Sequence, residues 1–153
     1  CVAVLAEAVG GRGLIAGQVV DLACTGSAIG LDELEYIHSH KTGALFLAAA
    51  EFGAIAAGGR DRDREALRGF AKNLGLAFQI TDDVLDATGE PSVTGKDAGM
   101  DRDHTTFVSL CGVDGARRLV DELIDAALSC LAPFGKRASL LRDLAELVRG
   151  RDR

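Results

Sequence analysis

Long stretches rich in Ala, Leu, Glu and Arg run through the sequence, and only two prolines interrupt its 153 residues. Ala and the straight-chain residues lose little side-chain freedom in a helix, whereas the β-branched and aromatic residues that favour strands are thinly spread. Glycines and short polar clusters divide the chain into segments of helical length. The sequence therefore predicts an all-α protein. Its length fits one domain with a substantial hydrophobic core.

The helix breakers place the predicted segments along the chain. These segments are residues 1–9, 14–24, 31–58, 62–86, 105–111, 114–131 and 136–149. We expect an interruption of the third segment near Thr42 and Gly43, and we interpret Asp61 and Asp63 as candidate N-caps of the fourth. Residues 88–104 are rich in Gly, Asp and Lys and read as one long irregular connection. Connections of this length in a compact domain are usually functional or mobile.

The overall charge limits the ligands that this chain can bind. Its formal net charge is −6, whereas a nucleic-acid-binding protein needs a basic face, so we expect no nucleic-acid partner. An anionic ligand would need a metal ion or a local basic pocket. The four cysteines form no CxxC pair and stand at no zinc-ligand spacing. We therefore predict a reduced protein of the cytoplasm.

The most apolar window, residues 42–59, is long enough to suggest a membrane helix. Glu51 stands in its middle, and Ala and Gly supply most of its other residues. A charged residue at the centre of a bilayer is costly, so we interpret the window as a buried helix of a folded domain. The sequence thus predicts no membrane span.

One face of the fourth segment carries an amide and three carboxylates. At about 100° per residue, Gln79, Asp82, Asp83 and Asp86 fall within roughly one third of the helix circumference. Residues 73–95 contain no Lys or Arg to relieve the repulsion. Oxygen-only ligands without His or Cys suit a hard cation such as Mg²⁺, which also binds substrate phosphates. The alternative is a solvated acidic face near the end of a helix.

Five sequence motifs follow one another along nearly the whole chain. They are GQxxDL at residues 17–22, HKTG at 40–43, FQxxDDxxD at 78–86, GKD at 95–97 and TFxxL at 106–110. Together they resemble motifs of the trans-isoprenyl diphosphate synthase family, which includes the farnesyl and geranylgeranyl diphosphate synthases. In order, they are similar to its GQxxDL helix, Lys-Thr helix break, second aspartate-rich motif, loop lysine and TYxxL segment.

The resemblance implies a fold and an activity. The fold would be an all-helical bundle of the isoprenoid synthase type, with two aspartate motifs facing each other at the mouth of a deep apolar cavity. The activity would be prenyl transfer, in which isopentenyl diphosphate condenses with an allylic diphosphate after Mg²⁺-assisted ionisation. The complete enzyme would be a homodimer. Such a mechanism needs metal ions and lysines to neutralise the leaving diphosphate, and no nucleophilic Ser or Cys.

The resemblance also assigns roles to individual residues. Asp82 would hold the Mg²⁺ that bridges to the allylic diphosphate, and Asp83 and Asp86 would support it directly or through metal-bound water. Lys41 and Lys96 would bind the same diphosphate as point charges.

Two neutral side chains and an arginine complete the expected substrate site. Thr42 and Gln79 would offer oxygens that stabilise the allylic carbocation, as preorganised dipoles do at developing charge. Arg151 resembles an arginine near the homoallylic diphosphate. His38 and His40 are two residues apart and so point to different sides of a helix. We interpret both as structural or surface residues.

Some parts of the family pattern have no counterpart here. The first aspartate-rich motif and the earlier basic segment that binds isopentenyl diphosphate do not occur in residues 1–153. The resemblance therefore places the chain in the C-terminal part of a single prenyltransferase domain, and we expect these residues alone not to elongate isoprenoids. Gln18 and Asp21 would support the site, and His104 stands where many relatives carry a second loop lysine.

Two other functional classes remain open. A non-catalytic partner subunit could use the same fold, but we would then expect changes at Asp82 or Lys41, and both are intact. A diphosphate lyase resembling the class I terpene cyclases could also use it. The Lys-Thr and FQ motifs argue against that second alternative, because such cyclases usually replace the second aspartate motif with an Asn/Ser/Glu-type triad.

Overall fold

The computed structural model describes residues 1–89 and 104–151, and within these ranges it contains helices and no strand. The α-helices are α1 (Val2–Val9), α2 (Leu14–Cys24), α3 (Leu31–His38), α4 (Ala44–Ala56), α5 (Asp61–Thr88), α6 (Phe107–Cys130) and α7 (Ser139–Arg149). A π-helix (Ser39–Gly43) joins α3 to α4, and a 3₁₀ helix (Ala132–Ala138) precedes α7. The prediction of an all-α fold is confirmed.

Helix α5 is the central element and packs along α6. Its residues Leu74, Ala77, Ile80 and Val84 are buried at helical spacing and form one side of the core. The opposing side comes from α6, where Ile124 is fully buried. Because three to four residues separate the buried positions, one face of α5 is anchored in the core and another is left for the polar side chains.

The predicted helix breaks occur close to the expected positions. The interruption near Thr42 and Gly43 is the π-helix, which widens the backbone by one residue per turn without ending the helical path. Gly112, with φ of 73°, kinks α6 between the two segments that the sequence predicted there. The last helix begins at Ser139 rather than at 136, because a 3₁₀ turn containing Gly135 at φ of 54° comes first.

The predicted N-caps of α5 were wrong. The N-cap residue is Arg60, and Asp61 and Asp63 lie in the first turn. Asp63 Oδ2 accepts hydrogen bonds from the Arg60 backbone N–H at 3.2 Å and from Arg60 Nε at 2.8 Å. The hydrogen bond from the Arg60 side chain is the main reason that the pKa of Asp63 lies below its usual value. Asp63 therefore stabilises the helix start from three residues inside it.

Two apolar stretches bear on the membrane prediction. In α4, Glu51 is 5% exposed and pairs with Arg64 of α5, as expected for a helix packed inside a protein. Val2–Cys24, in contrast, is long and apolar enough to cross a membrane by length and composition, with a mean hydropathy of 1.3. A turn after Val9 divides it into α1 and α2. The absence of a membrane span stays a prediction.

Candidate active site

The acidic face of α5 lines a cavity of about 300 Å³. Gln79, Asp82, Asp83 and Asp86 all reach this cavity, and Lys41 reaches it from the π-helix on the opposite wall. Helical periodicity places the four α5 residues on one side, and the packing of α5 against the π-helix places the lysine across from them. Five residues that the sequence predicted for the site are therefore brought together. Their roles in a reaction stay predictions.

The π-helix holds Lys41 at a close crossing with α2. A Cβ atom at Gly17 would lie 2.3 Å from the Lys41 backbone nitrogen and 2.8 Å from its Cα, so only glycine fits there. One turn further along α2, Asp21 Oδ2 accepts a hydrogen bond from Lys41 Nζ at 2.6 Å. This ion pair orients the ammonium group at the cavity wall. Gly17 and Asp21 both belong to the GQxxDL motif.

Asp21 also lies near a second basic side chain of the cavity. His104 Nδ1 is 3.7 Å from Asp21 Oδ1, whereas Lys41 binds the other carboxylate oxygen. His104 lines the cavity at the point where the described chain resumes after residue 103. The wall around Asp21 therefore carries an imidazole as well as an ammonium group.

Asp83 links the acidic face to the start of α6. Its Oδ2 accepts a hydrogen bond from the Phe107 backbone N–H at 2.8 Å. Thr106 is the N-cap of α6, and its Oγ1 accepts from the Ser109 N–H at 3.1 Å. The first N–H groups of a helix have no partner inside the helix, so an aspartate and a threonine satisfy two of them here. One oxygen of Asp83 therefore has a structural role.

Asp82 contacts Arg151, which follows the last helix. Arg151 Nη1 is 2.9 Å from Asp82 Oδ1, and the Arg151 guanidinium lies 5.3 Å from the centroid of the Phe78 ring. Arg151 also lines a neighbouring cavity of about 130 Å³ with Arg117 and Arg149. The resemblance implied that Arg151 lies near the homoallylic diphosphate; in the structure it lies next to the predicted metal ligand.

Besides Arg151, which is not among the described residues that line this cavity, two predicted residues are not placed in it. Thr42 follows Lys41 in the π-helix but is not among the described residues that line the cavity. Lys96, and with it most of the predicted long loop, lies outside the residues that the structure describes. The predicted second lysine and the long irregular connection therefore stay predictions.

Sequence reasoning missed His38. Its ring lines the cavity, its Nδ1 is 3.2 Å from Gln79 Oε1, and it stacks on Phe107 at 5.6 Å between ring centroids. Burial is the main reason that the pKa of His38 lies below its usual value; Lys41 acts in the same direction, while the hydrogen bond with Gln79 and the charge of Asp21 oppose the shift. The signal was available, because His38 lies three residues before Lys41 and shares its helix face.

His40 fits the prediction of a structural residue. It stacks on Tyr36 with 3.9 Å between ring centroids, and its Nδ1 is 2.8 Å from the Tyr36 carbonyl oxygen. Both contacts stay within one helical turn, and His40 is not among the described residues that line the cavity. The two histidines of this segment therefore have different environments.

The donor set of the cavity fits Mg²⁺. Among the residues that the structure describes, no three His, Cys, Asp or Glu side chains converge on one point as a closed metal cage would require. Magnesium usually binds one or two carboxylates and completes its octahedron with water and substrate phosphates. Three carboxylates spread along one wall, with a lysine opposite, match that mode.

Comparison with known proteins identifies the family. The model of the family described as polyprenyl synthetase matches residues 1–127. The chain belongs to the polyprenyl synthetase family. It is 44% identical to a chloroplastic geranylgeranyl pyrophosphate synthase of Capsicum annuum, over 99% of this chain and 42% of that protein. The chain thus spans about two fifths of the length of such relatives.

Solved structures agree with this assignment. A structure described as a putative farnesyl-diphosphate synthase from Marinomonas sp. MED121 matches with a TM-score of 0.83 and 35% identity, over 97% of this chain and 51% of that one. A geranyltransferase from Helicobacter pylori, complexed with magnesium and isoprenyl diphosphate, matches with a TM-score of 0.80 and 28% identity. That match covers 96% of this chain and 49% of the other. The isoprenoid synthase type of bundle predicted from the motifs is confirmed.

Proposed function

We propose that this chain supplies the second aspartate motif and the diphosphate-binding lysine of a prenyltransferase that joins isopentenyl diphosphate to an allylic diphosphate. The observation that carries the proposal is the meeting of Asp82, Asp83 and Asp86 with Lys41 and Gln79 around one cavity. Membership of the polyprenyl synthetase family supports it. Because the chain spans only about two fifths of the length of the Capsicum annuum relative, the reaction is proposed for a full-length protein that contains it.

The residues of this chain would divide the work of ionising the allylic diphosphate. Asp82 would hold Mg²⁺, with Asp83 and Asp86 supporting it directly or through metal-bound water. The metal would supply charge neutralisation of the departing diphosphate. Lys41, oriented by Asp21, would place a further positive charge on the same group. Lys96 would add another from the predicted loop.

The carbocation left by this ionisation would need negative dipoles and no water. Gln79, one helical turn before the aspartates, offers its carboxamide oxygen at the wall of the cavity. Thr42 would offer a hydroxyl oxygen from the π-helix. Preorganised dipoles stabilise developing charge without the cost of reorienting solvent. Isopentenyl diphosphate, which Arg151 would bind in part, would then attack the cation through its double bond.

The proposal predicts a homodimer for the full-length protein. Large apolar side chains are exposed along α1 and α2, including Val2 at 85% and Leu22 at 65%. Exposed apolar patches of this kind usually mark surfaces that other parts of a longer protein or a second polypeptide cover. Sedimentation of the full-length protein at several concentrations tests this, and a monomer at all of them would contradict it.

An assay of the full-length protein tests the function. It would be incubated with Mg²⁺, labelled isopentenyl diphosphate and dimethylallyl, geranyl or farnesyl diphosphate, followed by product analysis. We expect incorporation of label into a longer prenyl diphosphate, abolished by chelation of the metal. Consumption of the allylic diphosphate without incorporation would indicate a cyclase-like lyase. If the full-length protein were inactive by itself and activity appeared only in the presence of a complete homologue, it would be a partner subunit.

A further inference from the structure

His38 is a polar side chain of the cavity wall to which the proposed reaction assigns no role. It is the last residue of α3 and directly precedes the π-helix that carries Lys41 and Thr42. Its Nε2 atom is buried without a hydrogen-bond partner among the described residues, whereas its Nδ1 atom contacts Gln79. A buried polar atom without a partner is costly, so the placement of a histidine here calls for an explanation.

The contact with Gln79 defines the form of the imidazole ring. With Gln79 placed so that Oε1 faces the ring, this hydrogen bond requires a proton on His38 Nδ1, because a carboxamide oxygen only accepts. Burial favours the neutral ring, and it lowers the pKa of His38 more than the hydrogen bond and Asp21 raise it. The neutral ring with its proton on Nδ1 satisfies both conditions. It leaves only a lone pair at Nε2.

The ring is held in place by a second contact. It stacks on the Phe107 ring with 29° between the planes, and the Phe107 backbone N–H is fixed by Asp83. The position of His38 is therefore set from α6 as well as from α3. A hydrogen-bond donor that is itself held in place restricts the motion of the group that accepts from it.

The geometry points to His38 as a positioning residue that holds the carboxamide of Gln79 against the cavity wall. The inference rests on the proposed function, in which the Gln79 oxygen faces the developing carbocation. An amide oxygen has two acceptor sites, so one can accept from His38 while the other remains directed at the substrate. Without His38, the long Gln79 side chain would sample other rotamers and the dipole would not be preorganised.

Three variants of the full-length protein separate the donor from the ring. His38→Phe keeps an aromatic ring on Phe107 and removes the Nδ1 donor. We expect kcat to fall about tenfold, the equivalent of one hydrogen bond, with KM for both diphosphates changed less than about twofold. His38→Asn places an amide nitrogen close to the Nδ1 position and should restore kcat to within about threefold of wild type. His40→Phe, at the half-buried neighbouring histidine that does not line the cavity, is the matched control and should leave both constants unchanged.

A double-mutant cycle tests whether His38 acts through Gln79. Gln79→Ala removes the accepting group, so His38→Phe should then lower kcat by less than about twofold in that background. If the loss of kcat in the double variant equals the product of the two single-variant losses, His38 acts independently of Gln79, and the inference is overturned. Failure of His38→Asn to restore activity, while His40→Phe is normal, would also count against it.

A spectroscopic measurement separates this inference from the proposed function. With ¹⁵N-labelled histidine, the nitrogen shifts of His38 distinguish protonation at Nδ1 from protonation at Nε2. We expect the Nδ1–H form, and we expect the Gln79 side-chain amide signals to broaden in His38→Phe. A full-length protein without turnover would disprove the proposed function, yet these spectra would still decide the positioning. An Nε2–H ring, or Gln79 signals that do not change, would overturn it.

Discussion

The two halves of α5 line different cavities. Leu67, Phe70, Ala71 and Leu74, from its first half, face an apolar cavity of about 640 Å³ whose opposite walls are α4 and α7. The second half, residues 79–86, carries the amide and the carboxylates that line the polar cavity. One continuous helix of 28 residues therefore connects an apolar environment to a charged one.

The difference lies in how each half is held. The first half packs by burial, which is non-directional and shared among many side chains. In the second half, single bonds to other elements fix single residues: Asp83 to Phe107, Gln79 to His38 and Asp82 to Arg151. Both halves bury apolar residues in the core. We therefore expect substitutions of core residues in the first half to change stability, and substitutions of the polar residues in the second half to change the reaction.

The largest expected effect is that of Asp82→Ala on turnover. Loss of a metal ligand should lower kcat of the full-length protein by about three decades, or about 4 kcal/mol of transition-state stabilisation. Stability should hardly change. The variant loses the ion pair with Arg151, but both side chains of this pair are about 40% exposed, so the pair contributes little. The repulsion between neighbouring carboxylates is also relieved. Steady-state kinetics and urea unfolding measure the two effects. Near-normal Mg²⁺-dependent turnover would disprove the metal role.

Leu74→Ala should show the opposite behaviour. Leu74 is 2% exposed, so its truncation should lower the free energy of unfolding by about 3 kcal/mol. Because Leu74 lies before the acidic face along α5, kcat at a permissive temperature should stay within about twofold of wild type. Denaturant unfolding and an assay at low temperature check both parts. A large loss of kcat in a fully folded variant would remove the distinction between the two halves.

Two glycines, one near each cavity, differ in the space that surrounds them. Gly17→Ala would place a methyl group against the Lys41 backbone and should cost about 3 kcal/mol, with Lys41 displaced and KM for the allylic diphosphate raised. A methyl group at Gly53, on the wall of the apolar cavity, would meet no described atom of another element within 4 Å. Gly53→Ala should therefore stabilise α4 by up to about 1 kcal/mol. Urea unfolding of both variants measures these changes, and equal effects would contradict the tight crossing at Lys41.

The sequence predicted the elements of this fold better than their contacts. Helical periodicity was enough to place Gln79 and the three aspartates on one face, and the threonine and glycine at 42–43 marked the change of helix geometry. Periodicity within one helix does not determine which element packs across from it. The hydrogen bond from Phe107 to Asp83 and the contact of His38 with Gln79 join residues 24 and 41 positions apart, so they depended on the tertiary fold.

The smallest expected effect is a pH dependence of stability that belongs to His38. Burial lowers the pKa of this ring in the folded protein below the unfolded value of 6.5; Lys41 adds to the shift, whereas Gln79 and Asp21 oppose it. As pH falls through 6.5 the unfolded chain binds a proton that the folded protein does not, so stability is complete above this pH and declines below it. The decline should stop once the pH passes the folded pKa. Urea unfolding of wild type and His38→Asn between about pH 8 and pH 5 isolates this contribution, because the carboxylates are common to both proteins. The wild type should lose more stability on acidification than the variant; an equal loss would mean that the folded protein does not keep this ring neutral.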